Sequence, residues 1–221
     1  MSNYFSRLPD FEYVSRLPDA KISDYIRVKN LFKKGVLRED IFQDLAFFTK
    51  YDIRGNDRPD NVSFDVYGRS DLDWLVLTAN NIINVQTEWP MSQADFDRYL
   101  LDKYGTYEKM NATHHHETIE IKNTDGVTIV AAGLRVESDF SVNYFDYKLQ
   151  QVVTANSITT EVTNYQYEEK LENEKRHIFI LKPFYLNVVL DDLEEMMIYE
   201  KGSTQYQSET LKRADNIRLY G

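Results

Sequence analysis

A short helix within residues 67–81, YGRSDLDWLVLTANN, constrains the fold more than any other stretch of the chain. Ser70 followed by Asp73 resembles a capping box, and the two final asparagines favour the end of a helix. One apolar face recurs at helical spacing and consists of Leu72, Leu75, Val76 and Ala79. Trp74 and Leu77 lie on the opposite side of the helix, which therefore has two apolar faces. Other elements or a partner must cover both.

A predicted strand and a shorter helix precede this segment. Residues 47–53 alternate in polarity with the period of a strand. Asp57 is placed to cap a helix with Pro59 in its first turn, and Gly68 favours the left-handed conformation that ends it. Residues 46–84 are therefore expected to form the first part of a core domain.

A repeated phrase marks the N-terminus. YFSRLPD at residues 4–10 returns as YVSRLPD at residues 13–19. Leu8 and Leu17 each precede a proline, which favours extended backbone and disfavours a helix. The phrase predicts an arm with two equivalent contact points, and the simpler interpretation is a loop that lies over its own domain.

Two helices are predicted between this arm and the strand. Apolar residues at helical spacing indicate one helix over residues 22–32, which Gly35 ends, and another over residues 41–48. Arm and helices together make an N-terminal region of residues 1–45.

Residues 85–175 are predicted to be an insertion. Ser92 is placed to cap a helix that ends at Gly105, and residues 117–163 alternate as strands. The charged segment EVTNYQYEEKLENEKR predicts a further helix.

Residues 176–221 are expected to close the core. HIFIL at residues 177–181 predicts a strand, and Lys182 with Pro183 begins an apolar helix. The polar tail from Gly202 is expected to be mobile until it docks.

Catalytic patterns are missing from the sequence. The 221 residues include no cysteine, which excludes disulfides, thiol nucleophiles and thiolate metal sites. No GxSxG elbow is present, and the glycines form no phosphate-binding loop. Acid pairs such as Asp71 with Asp73, or Glu194 with Glu195, are more typical of soluble helices than of glycosidases. We therefore expect neither an enzyme nor a cofactor.

THHHE at residues 113–117 is the stretch that suggests a metal ion, because imidazole and carboxylate are good zinc ligands. In an extended chain, His114 and His116 face one side and His115 the other. His177 is far away in sequence. The segment is therefore predicted to be the start of a strand, and this is favoured over a metal site.

Charge and aromatic content favour a protein assembly. The net charge of -10 argues against nucleic acid as a partner. No apolar run reaches the ~18 residues that span a bilayer, and no secretory signal is evident, so we expect synthesis in a cytosol and no membrane. Sixteen tyrosines and twelve phenylalanines exceed the needs of one core, and aromatic residues anchor interfaces.

The order strand, short helix, Tyr-Gly, second helix, Asn-Asn resembles a LysM module. DVYGRSDLDWLVLTANNI resembles the LysM-like version in contractile-tail proteins of phages. In such modules a second strand pairs with the first, and here residues 177–181 are the predicted partner of residues 47–53. The resemblance implies an α+β fold: a LysM-like β-α-α-β core with N-terminal helices, a β-rich insertion and a C-terminal helix.

This arrangement, with YDIRGNDRPDNVSFDVYGRSDLDWLVLTANN and LENEKRHIFILKP, is similar to the small LysM-like baseplate wedge subunit of myophages. The resemblance implies a structural virion protein of the tail baseplate, made in the host cytoplasm. It implies that the protein clamps neighbouring wedge subunits and helps to join wedges, with six-fold symmetry, around the hub. The implied partners are other wedge subunits and the hub or sheath-initiating proteins. LysM modules elsewhere bind N-acetylglucosamine polymers, so cell-wall binding is the alternative.

Three features are expected to touch partners. They are the arm, the second apolar face of the helix and the aromatic-rich insertion. The interface residues predicted from them are Leu8, Leu17, Trp74, Leu77, Trp89, Tyr144 and Tyr147.

Overall fold

The computed structural model describes residues 3–21 and 23–215. Within them the α-helices are α1 (Tyr4–Arg7), α2 (Glu39–Gln43), α3 (Pro59–Tyr67), α4 (Asp73–Ala79), α5 (Val85–Glu88), α6 (Gln93–Tyr104), α7 (Tyr107–Met110), α8 (Asn164–Glu174) and α9 (Leu186–Met197). The strands are β1 (Asp10–Val14), β2 (Tyr25–Lys29), β3 (Phe48–Asp52), β4 (Thr113–Thr118), β5 (Ile121–Lys122), β6 (Thr128–Val130), β7 (Arg135–Val136), β8 (Val142–Asp146), β9 (Gln151–Ala155), β10 (Thr159–Thr163), β11 (His177–Leu181), β12 (Tyr206–Ser208) and β13 (Leu211–Arg213). Short 3-10 helices span Leu45–Phe47, Ser70–Leu72 and Pro183–Tyr185. The fold is α+β, as the sequence predicts.

The described residues divide into two compact units. The first unit is drawn from residues 1–89 and 176–221, and the second unit from residues 90–175. None of the described helices is long and apolar enough to cross a bilayer.

Strands β3 and β11 form a two-stranded antiparallel sheet in the first unit, which confirms the predicted pairing. Phe48 lies opposite Leu181 at one end of the ladder. On the other face, Ile178 and Ile180 are buried and pack with Val76 of α4. The sheet therefore holds together two segments that are far apart in the sequence.

A side chain closes the outer edge of β11. Asn80 Oδ1 accepts a hydrogen bond from the Phe179 N–H at 2.7 Å, and Asn80 Nδ2 donates to the Phe179 carbonyl oxygen at 2.8 Å. The same Nδ2 donates to the carbonyl oxygen of Val76 at 2.8 Å. The amide thus supplies the two hydrogen bonds that a neighbouring strand would otherwise provide.

Both apolar faces of helix α4 pack against residues of the first unit itself. Leu75 and Val76 are completely buried. Trp74 packs beside Leu193 of α9, and its ring centroid lies 5.4 Å from that of Tyr4. Leu77 packs against the cluster that contains Val76 and Ile178. Trp74 and Leu77 nevertheless remain half-buried.

Two predicted helix caps are wrong, although the predicted helices exist. Arg58 precedes α3 in place of Asp57, and no side chain caps that helix. Residues 70–72 form a tighter 3-10 turn, so α4 begins only at Asp73 and the predicted capping box is absent. Gly68, at φ +68°, ends α3 in the left-handed conformation as predicted.

The helix predicted over residues 22–32 is wrong. Residues 25–29 form β2, which pairs antiparallel with β1. Ile26 and Val28 are β-branched and favour a strand once a neighbour supplies hydrogen bonds. Position Ile22, where the predicted helix began, lies outside the described residues. Farther on, α2 and the 3-10 turn after it confirm helical structure near residues 41–48.

The prediction of an extended arm with two equivalent contact points is also wrong, because the arm begins with helix α1, and Leu8 is buried whereas Leu17 is exposed. Asn3 Oδ1 accepts a hydrogen bond from the Ser6 N–H at 2.9 Å and caps helix α1. The helix stops before Pro9, because the residue before proline is held extended. Pro9 is followed directly by β1.

The tail that was predicted to be mobile from Gly202 adds two strands to the N-terminal sheet. The sheet order is β12-β13-β1-β2, and β13 runs parallel to β1. Glu12 joins three strands, because Arg213 and Arg27 lie 2.8 and 2.9 Å from its two oxygens. Hydrogen bonds from Arg213 and then Arg27 lower the pKa of Glu12. Predictions for residues 216–221 fall outside the described residues.

The second unit confirms the predicted β-rich character of residues 117–163. Strand β4 is the centre of a three-stranded sheet ordered β10-β4-β7, and β8 pairs with β9 in a separate hairpin. Ser92 caps α6 and Gly105 ends it, as predicted, while Thr163 and Gln166 form a capping box on α8. The buried core of this unit contains Phe96, Leu100 and Met110.

Glu168 is a buried carboxylate of the second unit. It accepts hydrogen bonds from the hydroxyl groups of Tyr99 at 3.1 Å and Tyr104 at 3.0 Å, and Lys103 Nζ lies 2.7 Å away. Burial by itself raises the pKa of Glu168, but these partners, with Lys103 first, outweigh burial and lower it. The network fastens α6 to α8.

Glu168→Gln is expected to lower the free energy of unfolding by about 1 kcal/mol at pH 7, because Lys103 loses its counter-charge while an acceptor remains. The folded-state pKa of Glu168 is depressed. Its contribution is therefore complete above the ordinary glutamate pKa of about 4.3 and is lost as the pH falls through the lower folded-state pKa. Urea unfolding at pH 7 and pH 3 measures the difference in free energy of unfolding between the variant and the parent protein at each pH. Exposed Glu169→Gln is the control, and an equal loss in both variants would contradict the prediction.

Candidate interaction surfaces

Four of the seven predicted interface residues have partners inside the first unit. Leu8 and Trp89 are 2% and 6% exposed. The Trp89 indole N–H donates to the carbonyl oxygen of Asp57 at 2.9 Å. Trp74 and Leu77 are half-buried on α4. These side chains hold the unit together.

The other three predicted residues present more surface. Leu17 is 64% exposed in the connection between β1 and β2. Tyr147 is 72% exposed directly after β8, and Tyr144 is half-buried within that strand. The two tyrosines thus belong to one hairpin of the second unit.

That hairpin carries an exposed apolar face. Phe145 and Val152 are cross-strand partners, 43% and 66% exposed. The ring centroid of Tyr147 lies 5.2 Å from that of Phe145, and Leu149 in the turn is also exposed. We define these four side chains as the hairpin surface. An isolated two-stranded hairpin is only marginally stable in water, so this element suits contact with a partner.

A buried carboxylate shapes the turn below the hairpin surface. Asp146 is 1% exposed and accepts hydrogen bonds from the Thr124 hydroxyl group at 2.8 Å and from the backbone N–H groups of Lys148 and Leu149 at 3.0 and 3.1 Å. Burial raises the pKa of Asp146, but hydrogen bonds, first from Thr124, outweigh it and lower the pKa. The turn is therefore held in place before any partner arrives.

Sequence patterns missed several exposed apolar residues of the first unit. Phe32 is fully exposed and Leu31 is 68% exposed, although both were assigned to a predicted helix face. Phe184, beside the Pro183 turn, is 86% exposed. The signal that could have found Phe32 is its position in NLFKKG, where polar and basic residues surround a single apolar pair.

The THHHE segment forms β4 and packs against α8. The His114 ring stacks on Tyr167, with centroids 4.0 Å apart. His115 Nε2 is 3.1 Å from Glu117 Oε1, which also lies 3.3 Å from Lys170 Nζ. The bond from His115 is the main cause of a lowered pKa of Glu117. Among the residues that the structure describes, no three His, Cys, Asp or Glu side chains are grouped to hold a metal ion.

Comparison with known proteins identifies the family. The family model described as base plate wedge protein 53 matches residues 4–127 of the 221, which is more than half of the chain. The matched region runs from α1 to the turn after β5. No curated protein matches the chain. The chain belongs to the base plate wedge protein 53 family, and it is a structural component of a phage tail baseplate.

Proposed function

We propose that this protein clamps neighbouring wedge subunits and helps to join the wedges around the central hub of a contractile tail. The hairpin surface supports this most strongly, because it exposes four apolar side chains on a hairpin whose turn is held by hydrogen bonds to Asp146. Exposed aromatic residues with a rigid base are typical anchors of protein interfaces. The partners in this proposal are other wedge subunits and the hub or sheath-initiating proteins.

A LysM-like core is the scaffold in this proposal. Its elements are β3, α3, α4 and β11, in the order strand, helix, helix, strand. Residues 85–175 are the proposed insertion, and the antiparallel pairing of β3 with β11 supports the assignment. The insertion would carry the hairpin surface, while the core and the N-terminal region would carry the remaining contacts.

The proposed interface residues fall into two groups: exposed residues that contact a partner, and buried or half-buried residues that support the contact surfaces. Leu17 and Tyr147 are exposed and can contact a partner without rearrangement. Tyr144 is half-buried and lies on the opposite side of the hairpin strand from Phe145. Leu8, Trp74, Leu77 and Trp89 would contribute by holding the contact surfaces in position.

A double variant tests the hairpin surface. Tyr147→Ser with Leu149→Ser is expected to reduce incorporation into tails at least tenfold, because two exposed anchors are lost. The measurement is the ratio of this chain to the tail tube protein in tails purified from cells in which the variant is the sole copy. Mass spectrometry supplies the ratio.

A matched control distinguishes the loss of a partner contact from the loss of folding. Tyr107→Ser with Leu101→Ser changes the same residue types at other exposed positions of the second unit. This control should enter tails at the parent level, provided that thermal unfolding of both variants is cooperative. Equal incorporation of the two double variants would remove the hairpin surface from the interface.

A further inference from the structure

The pentapeptide Ser-Arg-Leu-Pro-Asp occurs twice, at residues 6–10 and 15–19, in opposite environments. We name these stretches the first copy and the second copy. The first is docked on the first unit, whereas most of the second is exposed. Because the residue types are identical, the surroundings of the first copy indicate what chemistry the second copy can bind.

The first copy binds a site on helix α9. Leu8 is 2% exposed and packs against Leu193 and Met197. Arg7 Nη1 lies 3.0 Å from Oε1 of Glu194. Two apolar side chains one helical turn apart, with a carboxylate beside them, therefore receive an Arg-Leu pair. We define Leu193, Glu194 and Met197 as the leucine socket.

The rest of the first copy is held by polar contacts. The Pro9 carbonyl oxygen accepts a hydrogen bond from the Asn30 N–H at 2.9 Å. Lys29 Nζ lies 2.9 Å from Asp10 Oδ1 and donates to the Leu8 carbonyl oxygen at 2.9 Å. Each residue of the Arg-Leu-Pro-Asp sequence thus has a partner in the first unit.

The second copy offers the same groups without such partners. Arg16, Pro18 and Asp19 are exposed, and Leu17 is 64% exposed. Over residues 3–21 and 23–215, neither Arg16 nor Asp19 takes part in an ion pair. The base of the segment is fixed, because the buried Ser15 donates its N–H to the Asp24 carbonyl oxygen at 2.8 Å.

We propose that the second copy docks on a neighbouring baseplate subunit, at a helix that reproduces the leucine socket. Such a helix carries two apolar side chains one turn apart to receive Leu17, and a carboxylate to pair with Arg16. This inference rests on the proposed function, since it names the chemistry of one partner in that assembly.

The socket of another copy of this chain is a weaker candidate. Leu8 of that copy already fills it. A segment on the same chain acts at an effective concentration of about millimolar, which a separate chain would have to exceed. A different subunit with an open socket meets no such competition.

The contacts of the first copy also predict which residue matters more. Leu8 is almost fully buried, whereas the Glu194 side chain is 69% exposed, so water and salt screen its pairing with Arg7. Leu17→Ala is therefore expected to weaken docking about tenfold, and Arg16→Ala only about twofold. Both positions are exposed, and neither change should alter stability.

Photo-crosslinking in purified tails tests the docking. A diazirine analogue of leucine, which keeps the size of the side chain, replaces Leu17, the tails are irradiated, and crosslinked peptides are identified by mass spectrometry. The same group at Leu45, which is 69% exposed in the first unit, is the matched control. Position 17 should crosslink to a helix of another baseplate protein that carries the apolar and acidic pattern. Arg16→Ala beside the crosslinker should reduce that yield only about twofold.

Other outcomes overturn the inference. They are crosslinks from position 17 to the same chain, including residues 216–221, to a second copy, or to a segment without the acidic and apolar pattern. Absence of any crosslink above the level at position 45 also overturns it. If the variant is present in tails but gives one of these crosslinking results, only this inference is wrong. If the unmodified chain is absent from tails, the proposed function itself is wrong.

Discussion

Leu181→Ala is expected to lower the free energy of unfolding by about 3–4 kcal/mol. Leu181 is completely buried at the end of β11, in a cluster with Phe48, Leu75 and Val189. Its truncation removes apolar burial and leaves a cavity where a strand and two helices meet. Urea denaturation followed by circular dichroism measures the loss.

A leucine on the surface of the same unit provides the control. Leu31 is 68% exposed, so Leu31→Ala should change the free energy of unfolding by less than about 0.5 kcal/mol. A loss below about 1 kcal/mol for Leu181→Ala would mean that β11 is not part of the core described above. The comparison tests whether the late strand completes the first unit.

Asn80→Ala is expected to cost about 2 kcal/mol and to increase self-association. The change removes three hydrogen bonds, two of them to the backbone of Phe179, and exposes the edge of β11. Chemical denaturation gives the stability, and sedimentation velocity detects association. Phe179 is 37% exposed, so the unprotected edge carries an apolar side chain.

Two further variants sharpen this prediction. Asn80→Asp retains the acceptor for the Phe179 N–H, but its second carboxylate oxygen faces the carbonyl oxygens of Val76 and Phe179, so its cost at neutral pH should be no smaller than that of Asn80→Ala. Asn61→Ala removes the same residue type from an exposed position on α3. It should leave the free energy of unfolding almost unchanged. Equal stability of Asn80→Ala and Asn61→Ala would show that the edge is closed by other means.

The central part of the fold could be predicted because its signals are local. Pro59 and Gly68 mark the two ends of α3, and the alternation in HIFIL indicates a strand with two buried isoleucines. Only the resemblance to a LysM module suggested that β11 pairs with β3, because no local pattern encodes so distant a partner. The antiparallel ladder agrees with that suggestion.

The N-terminal region could not be predicted in the same way. Tyr25, Ile26 and Val28 fit a helical or a strand pattern, and the choice depends on β1 as a neighbour. Likewise, β13 becomes a strand by pairing in parallel with β1, which lies at the other end of the chain. Tertiary hydrogen bonds decide these elements, and they are not visible in local spacing.

The candidate contact surface could be predicted only in part, because tertiary packing decides which apolar residues are exposed. Trp74 and Leu77 form a second apolar face in the sequence, but the first unit supplies neighbours for it, among them Leu193 and Ile178. Tyr147 is exposed, because Asp146 turns the chain sharply at that point. A sequence can indicate that an apolar face needs cover without indicating what provides it.

The most direct test of the central claim is the composition of purified particles. A lysate of infected cells is separated on a density gradient, and this chain is quantified by mass spectrometry against capsid and tail proteins. A baseplate wedge role predicts that the chain follows tails at a fixed ratio to the other baseplate proteins. Its absence from tails, with recovery in the cell-wall fraction, would contradict that role and favour a LysM module that binds N-acetylglucosamine polymers.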